Sequence, residues 1–206
     1  MRALTLQQRA DLYNQAYAHL DSPNTPLTCF QRNGRPFIHG FWFVGGGNVS
    51  EFYGAYQTEY LNRIGTLFPD CRGGTETCHL FSGSLPGSPD YSRVGQDPTG
   101  KYHSDFEFDA HGLSSFLPFR PVLIYADPPY SAEDSEHYEN SMVNRPRIIE
   151  ECALVLRPGG FIVWMDQALP VFSNKRLEFV GAIGYVRSTG NRFRMVSLFR
   201  KPANVK

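Results

Sequence analysis

A chain of 206 residues accommodates one domain with a substantial core, or a domain with a small appendage. With 41% hydrophobic and 19% charged residues, no low-complexity tract and no solenoid repeat, it is neither disordered nor fibrous nor repetitive. A net charge of zero argues against binding nucleic acid by charge alone, and the apolar runs fall far short of a membrane span.

The N-terminus lacks a basic region followed by an apolar signal core, so a cytoplasmic protein with no membrane partner is expected. Thr5 to Leu20 is predicted as a helix: Thr5 and Gln8 make a capping box, and Leu6, Ala10, Tyr13, Tyr17 and Leu20 recur at helical spacing. After the breaker Asp21-Ser22-Pro23-Asn24, arms near Leu27–Gln31 and Phe37–Val44 flank Asn33-Gly34 as a hairpin. Its Phe30, Phe37, Phe41, Trp42 and Phe43 are expected to form a layer packed on the main domain, a base-stacking surface being the alternative. Residues 1–50 thus read as a helix–hairpin appendage to a main domain over 51–206.

Gly45-Gly46-Gly47 is a loop, and the absence of a following Lys-Ser/Thr pair rejects a phosphate-binding loop. A helix is predicted over about Ala55–Leu67, then a strand over Thr77–Phe81 opening into Phe81-Ser82-Gly83-Ser84. Two further strands, Tyr91–Gly95 and Phe106–Phe108, lead to Asp97 and to Asp109-Ala110. Neither the four cysteines nor the six histidines cluster at metal-ligand spacing, so no metal site is expected.

Pro121 to Tyr130, PVLIYADPPY, is the most informative stretch. Val122 to Tyr125 is an apolar run that fits a central parallel strand, and the prolines end it where Asp127 and Tyr130 appear. Ligands bind at such carboxyl ends in open α/β sheets. By chance, Asp127-Pro128-Pro129-Tyr130 would occur in a chain this long roughly once in a thousand, taking proline at about 5%. A polar loop over 131–142 follows, then a helix over about Asn144–Leu156, a strand Phe161–Met165 and a last hairpin, Phe179–Val186 with Phe193–Phe199. Charge is uneven along the chain. Residues 89–151 hold twelve acidic against five basic residues, and residues 173–206 hold eight basic against one acidic, a possible footprint for phosphate.

DPPY resembles the catalytic motif of the class I S-adenosylmethionine-dependent amino-methyltransferases, among them the DNA and RNA adenine N6-methyltransferases. The resemblance covers about residues 53–201 and implies a fold. That fold is α/β, a Rossmann-like class I methyltransferase with a mostly parallel sheet, a C-terminal antiparallel hairpin and reduced helix content. It implies S-adenosylmethionine as cofactor, held by Tyr53, by Phe81, Ser82, Gly83 and Ser84, by Asp97 on the ribose hydroxyls, and by Asp109 with Ala110 on the adenine amino group. It implies Asp127, Pro128, Pro129 and Tyr130 as the catalytic set, with Tyr130 stacked on a flipped-out base. Two departures stand out: His79 occupies a position where an acid is usual, and Leu85 occupies that of the last motif glycine.

The expected activity is methylation of an exocyclic amino group of a base, adenine N6 in DNA ahead of RNA. RNA guanine, a small molecule, or a non-catalytic scaffold role remain open, as does an oligomer or partner subunit. No separate target-recognition domain fits. Residues 1–50, the 131–142 loop and a hairpin bearing Arg187, Arg192 and Arg194 are the candidates for that task.

Overall fold

The computed structural model describes residues 3–45, 47–49, 55–95, 102–129, 143–188 and 192–203. Its elements are α1 (Leu6–Ala16), β1 (Thr28–Arg32), β2 (Arg35–Val44), α2 (Thr58–Leu67), β3 (Thr77–Leu80), β4 (Ser92–Val94), a 3₁₀ turn (Ala110–Gly112) running into α3 (Leu113–Phe116), β5 (Leu123–Ala126), α4 (Arg145–Val155), β6 (Phe161–Asp166), β7 (Glu178–Arg187) and β8 (Phe193–Arg200).

Eight strands form one sheet in the order β1-β2-β7-β8-β6-β5-β3-β4. The central run β4, β3, β5, β6 is parallel throughout, and β8 inserts antiparallel between β6 and β7. This mostly parallel sheet closed by an antiparallel hairpin is a Rossmann-like α/β arrangement, as expected from the sequence. Every residue of β5 and β6 is buried, as a continuous apolar run demands of a strand covered on both faces. Alternation divides the core: Leu123 and Tyr125 join α1 and α2 on one face, while Ile124 and Ala126 join α3 and α4 on the other. No helix among the described residues is long and apolar enough to cross a membrane.

Several expectations shift. The aromatic hairpin is not a layer laid on the domain but an extension of its sheet, with Ile38–Val44 paired in parallel to Gly181–Arg187. Pairing with β1 on one side and β7 on the other satisfies the β2 backbone, whereas a packed layer would leave the second side bare. Helix α1 stops at Ala16, and Asn14 uses its amide to take both the N–H (2.7 Å) and the C=O (2.8 Å) of Leu27 as the chain turns back. The start of α2 moves to Thr58 because Gln57 is held extended by a bridge to Asn48. The strand expected at Phe106–Phe108 reduces to a single bridge, Val94 to Phe106.

Two buried arginines fasten the helices of one face. Arg9 of α1 donates to Asp70 at 2.6 and 2.8 Å and to the Leu67 carbonyl at 3.1 Å, and its guanidinium lies 4.8 and 4.9 Å from the Phe68 and Phe161 rings. Arg63 of α2 binds Glu59, Asn24 Oδ1 (2.8 Å) and the Phe43 carbonyl (3.3 Å). Burial alone raises the Asp70 carboxyl, but the hydrogen bonds and charge of Arg9 outweigh it and hold it below its usual value of 3.8.

Asp70→Ala strands a buried guanidinium and is expected to cost about 3–5 kcal/mol in urea unfolding at pH 7. The carboxylate's contribution is present above its unfolded-state pKa and disappears as pH falls through the lower folded value. Wild-type and Asp70→Ala midpoints should therefore draw together as pH falls through that lowered folded-state value.

Candidate functional site

The carboxyl ends of β2, β7, β6, β5, β3 and β4 all meet one edge of the sheet. Asp127-Pro128-Pro129 lies at the middle of that edge, directly after β5. Strand alternation turns the Asp127 side chain towards the α2 face, with Tyr125. Three hydroxyls there feel its charge. Burial chiefly, and then Asp127, raises Tyr56 above the usual tyrosine value; burial, then Tyr56 and then Asp127 raise Tyr60, and Asp127 adds to the effect of burial on Tyr185.

On the opposite face, Arg145 at the start of α4 ties the motif down. Its Nε donates to Asp166 Oδ2 at 2.6 Å and its Nη2 to the Pro129 carbonyl at 3.0 Å. Asp166, which ends β6 almost wholly buried, also accepts from Trp164 Nε1 (3.2 Å) and from the Gln167 amide (2.7 Å). Prolines fix φ within the turn, and Arg145 fixes the carbonyl at its end. Sequence reading missed Arg145 and Asp166. The signal for Asp166 was present, an acid closing the buried run Phe161–Asp166, the same feature that drew attention to Asp127.

The turn after β3 departs from regular backbone. Phe81 (φ 56°) and Gly83 (φ 49°) both adopt left-handed conformations, strained for a phenylalanine and free for a glycine. Ser82 is buried, with its Oγ 2.9 Å from Ser104 Oγ, and Ser84 is also buried. A side chain at Gly95, just past β4, would come within 3.1 Å of both hydroxyls, so glycine there eases the close approach of the β3 and β4 ends. Leu85 packs into the core, and the backbone turns from Ser82 to Leu85 through a 2.9 Å hydrogen bond. His79 is buried, stacked on Tyr125 at 4.2 Å, and burial pushes its imidazole down to about 3, so the ring is neutral near pH 7.

Asp109 does not end a strand as expected; it caps the 3₁₀ turn, accepting from the His111 amide (2.9 Å) and from His111 Nδ1 (2.6 Å), both on Oδ1. The Asn144 amide donates to His111 Nε2 at 3.0 Å, which assigns the proton to Nδ1. Burial tends to raise the Asp109 carboxyl, but the His111 hydrogen bonds prevail and keep it low. Asp109, His111, Gly112, Phe116, Asn144 and Arg147 line an open groove of about 410 Å³. Ala110 is buried beneath it. Tyr53, Asp97, Tyr130 and the 131–142 loop lie outside the described residues. Of the basic C-terminal segment, Arg200 pairs with Glu178 (2.7 Å), and Lys201 donates to the Ala153 (2.6 Å) and Leu156 (2.8 Å) carbonyls at the end of α4.

No family model matches the chain, and no curated protein matches it. Solved structures do. TrmN from Thermus thermophilus aligns at 19% identity and a TM-score of 0.47 over 69% of this chain and 47% of its own. A protein from Streptococcus mutans described as a SAM-dependent methyltransferase aligns at 11% identity and 0.47, over 88% and 57%. SMU.776, described as a methyltransferase complexed with SAH, aligns at 10% identity and 0.46, over 87% and 57%. The chain spans about half the length of these structures.

Arg145→Met removes the counter-ion of a buried carboxylate and is expected to lower stability by about 3–5 kcal/mol. Adding Asp166→Leu should return most of that loss, as read from urea midpoints. Equal midpoints for wild type and Arg145→Met would show that the pair does not hold the turn.

Proposed function

We propose that the chain is an S-adenosylmethionine-dependent amino-methyltransferase acting on a nucleic-acid base, with adenine N6 in DNA as its substrate. The observation that carries the reading is Asp127-Pro128-Pro129 at the carboxyl end of a central parallel strand, its last carbonyl anchored by Arg145.

An exocyclic amino group is a weak nucleophile because its lone pair is delocalised into the ring. Two acceptors for its two hydrogens draw the nitrogen towards tetrahedral geometry and release that pair. The Asp127 carboxylate and the Pro128 carbonyl are the acceptors in this proposal, and a turn that cannot relax supplies them without reorganisation. Tyr130, next in the motif, stacks on the base, a contact worth about 1–3 kcal/mol. The residues fit a cofactor at the neighbouring strand ends. Gly83 brings a turn without a side chain to the end of β3, and Asp109 faces an open groove with its second carboxylate oxygen outside the His111 bonds. Ser82, Gly83 and Asp109, together with Tyr53 and Asp97, would hold it. When bound, S-adenosylmethionine supplies the activated methyl group.

Leu85 in the core and the neutral His79 favour a second reading, a methyltransferase-like scaffold subunit that has lost the cofactor. Titration calorimetry separates the two, because a scaffold would not bind S-adenosylmethionine at high micromolar concentration. For the enzyme, Asp127→Ala is expected to lower methyl transfer from radiolabelled cofactor roughly 100-fold or more. Its calorimetric affinity for the cofactor should stay near that of wild type. Undiminished transfer in this variant would refute the reading.

A further inference from the structure

The arginines of the β7–β8 hairpin stand apart from the others. Arg9, Arg63, Arg93, Arg145, Arg157 and Arg200 each form an ion pair with a carboxylate. Among the described residues Arg187, the last of β7, forms no ion pair, and its Nε is buried without a hydrogen bond. No acidic residue follows Glu178 in the sequence, and Glu178 begins β7, at the opposite edge of the sheet. Positive charge therefore collects where β7 ends and β8 begins. A donor left without an acceptor in a buried place is a cost that an anionic partner removes.

Strand register puts these residues at the candidate site. Arg194 of β8 lies opposite Tyr185 of β7, so the two share a face, and Arg187, two residues beyond Tyr185, shares it too. Tyr185 belongs to the core beneath α1 and α2, on the face to which Asp127 turns. Met195 pairs with Asp166 at the end of β6, so Arg194 lies one residue past that end, on the edge where Asp127 follows β5. Arg192, just before β8, is exposed there. Across the sheet, Arg194 is two strands from Asp127 and Arg187 three, about 10 and 14 Å at the usual strand spacing. One nucleotide spans a comparable distance from base edge to phosphate. The Tyr185 hydroxyl feels all three charges: burial raises it, Arg194 and Arg187 lower it, and Asp127 raises it.

We infer that Arg187 and Arg194, with Arg192 beside them, bind the phosphates flanking the target adenine on a single strand of nucleic acid. The inference deepens the function proposed above and rests on it for the identity of the strand. The cofactor is not the anion concerned. S-adenosylmethionine carries no phosphate, and β3 and β4, whose ends are proposed to hold it, lie on the other side of β5. Guanidinium forks match phosphate oxygens in geometry as well as charge. Such contacts fix the position of a strand and carry no sequence information, so the hairpin positions the base at Asp127 without choosing its neighbours. In a chain of zero net charge, a local cluster of this kind supplies the attraction that the whole molecule lacks.

The test uses the full chain and end-labelled single-stranded DNA carrying one adenine, with fluorescence anisotropy read over a series of salt concentrations. Arg187→Gln and Arg194→Gln should each weaken binding roughly 10-fold and reduce the salt slope of log K by about 0.7. Arg187→Lys keeps the charge and should keep most of the slope. Arg35→Gln removes the same charge at the opposite edge of the sheet, where Arg35 pairs with Glu178, and should bind as wild type does. Uncharged methylphosphonate linkages on both sides of the adenine should weaken binding to wild type and have little further effect on the double variant Arg187→Gln/Arg194→Gln. In turnover the double variant should raise KM with kcat near that of wild type. Equal weakening by the uncharged linkages in wild type and in the folded double variant overturns the inference, as does a loss in Arg35→Gln as large as in the hairpin variants. Wild type indifferent to those linkages overturns it without recourse to any variant. A wild type that binds with these slopes yet methylates no adenine overturns the proposed function and leaves the phosphate contacts standing.

Discussion

One guanidinium holds the centre of the site. Arg145 bridges a carboxylate buried at the end of β6 and the last described carbonyl of the Asp127-Pro128-Pro129 turn after β5. The two strands are parallel neighbours, so their ends already lie side by side. The arginine converts that proximity into a fixed geometry. A buried pair of this kind contributes little net stability compared with an apolar replacement, yet removing one partner is severe. Its value is conformational: the proline turn is held against the end of β6.

The two faces of the sheet divide the work. The α4 face anchors, through Arg145, Asp166 and Trp164. The α2 face is where Asp127 meets a cluster of tyrosines, with His79 and Gln57 among them. That face is dry, so carboxylate charge reaches the hydroxyls of Tyr56, Tyr60 and Tyr185 with little screening. It is also the face that Arg9 and Arg63 fasten to the helices, and so the polar rings are supported by charge buried beneath them.

Most of the architecture was legible in the sequence because it follows local rules. Apolar runs marked β5 and β6, Asn33-Gly34 marked the hairpin turn, and Thr5 with Gln8 marked the start of α1, whose capping box is present. What escaped depends on contacts distant in sequence. Nothing near Phe37–Val44 announces pairing with β7, since the partners are more than 140 residues apart. The Phe106–Phe108 run looked like a strand, but Asp109 spends its carboxylate on a 3₁₀ cap and ends the pairing at one bridge. Within the candidate site, DPPY drew attention to the turn after β5, whereas the Arg145–Asp166 pair that anchors it joins residues 21 positions apart.

The proposed reaction requires Asp127 to receive the amino group of adenine. Nucleoside mass spectrometry of DNA and RNA from cells expressing the chain tests that most directly. N6-methyladenine should rise in DNA above the level in cells without the chain. No increase of any methylated adenine in either nucleic acid would contradict it.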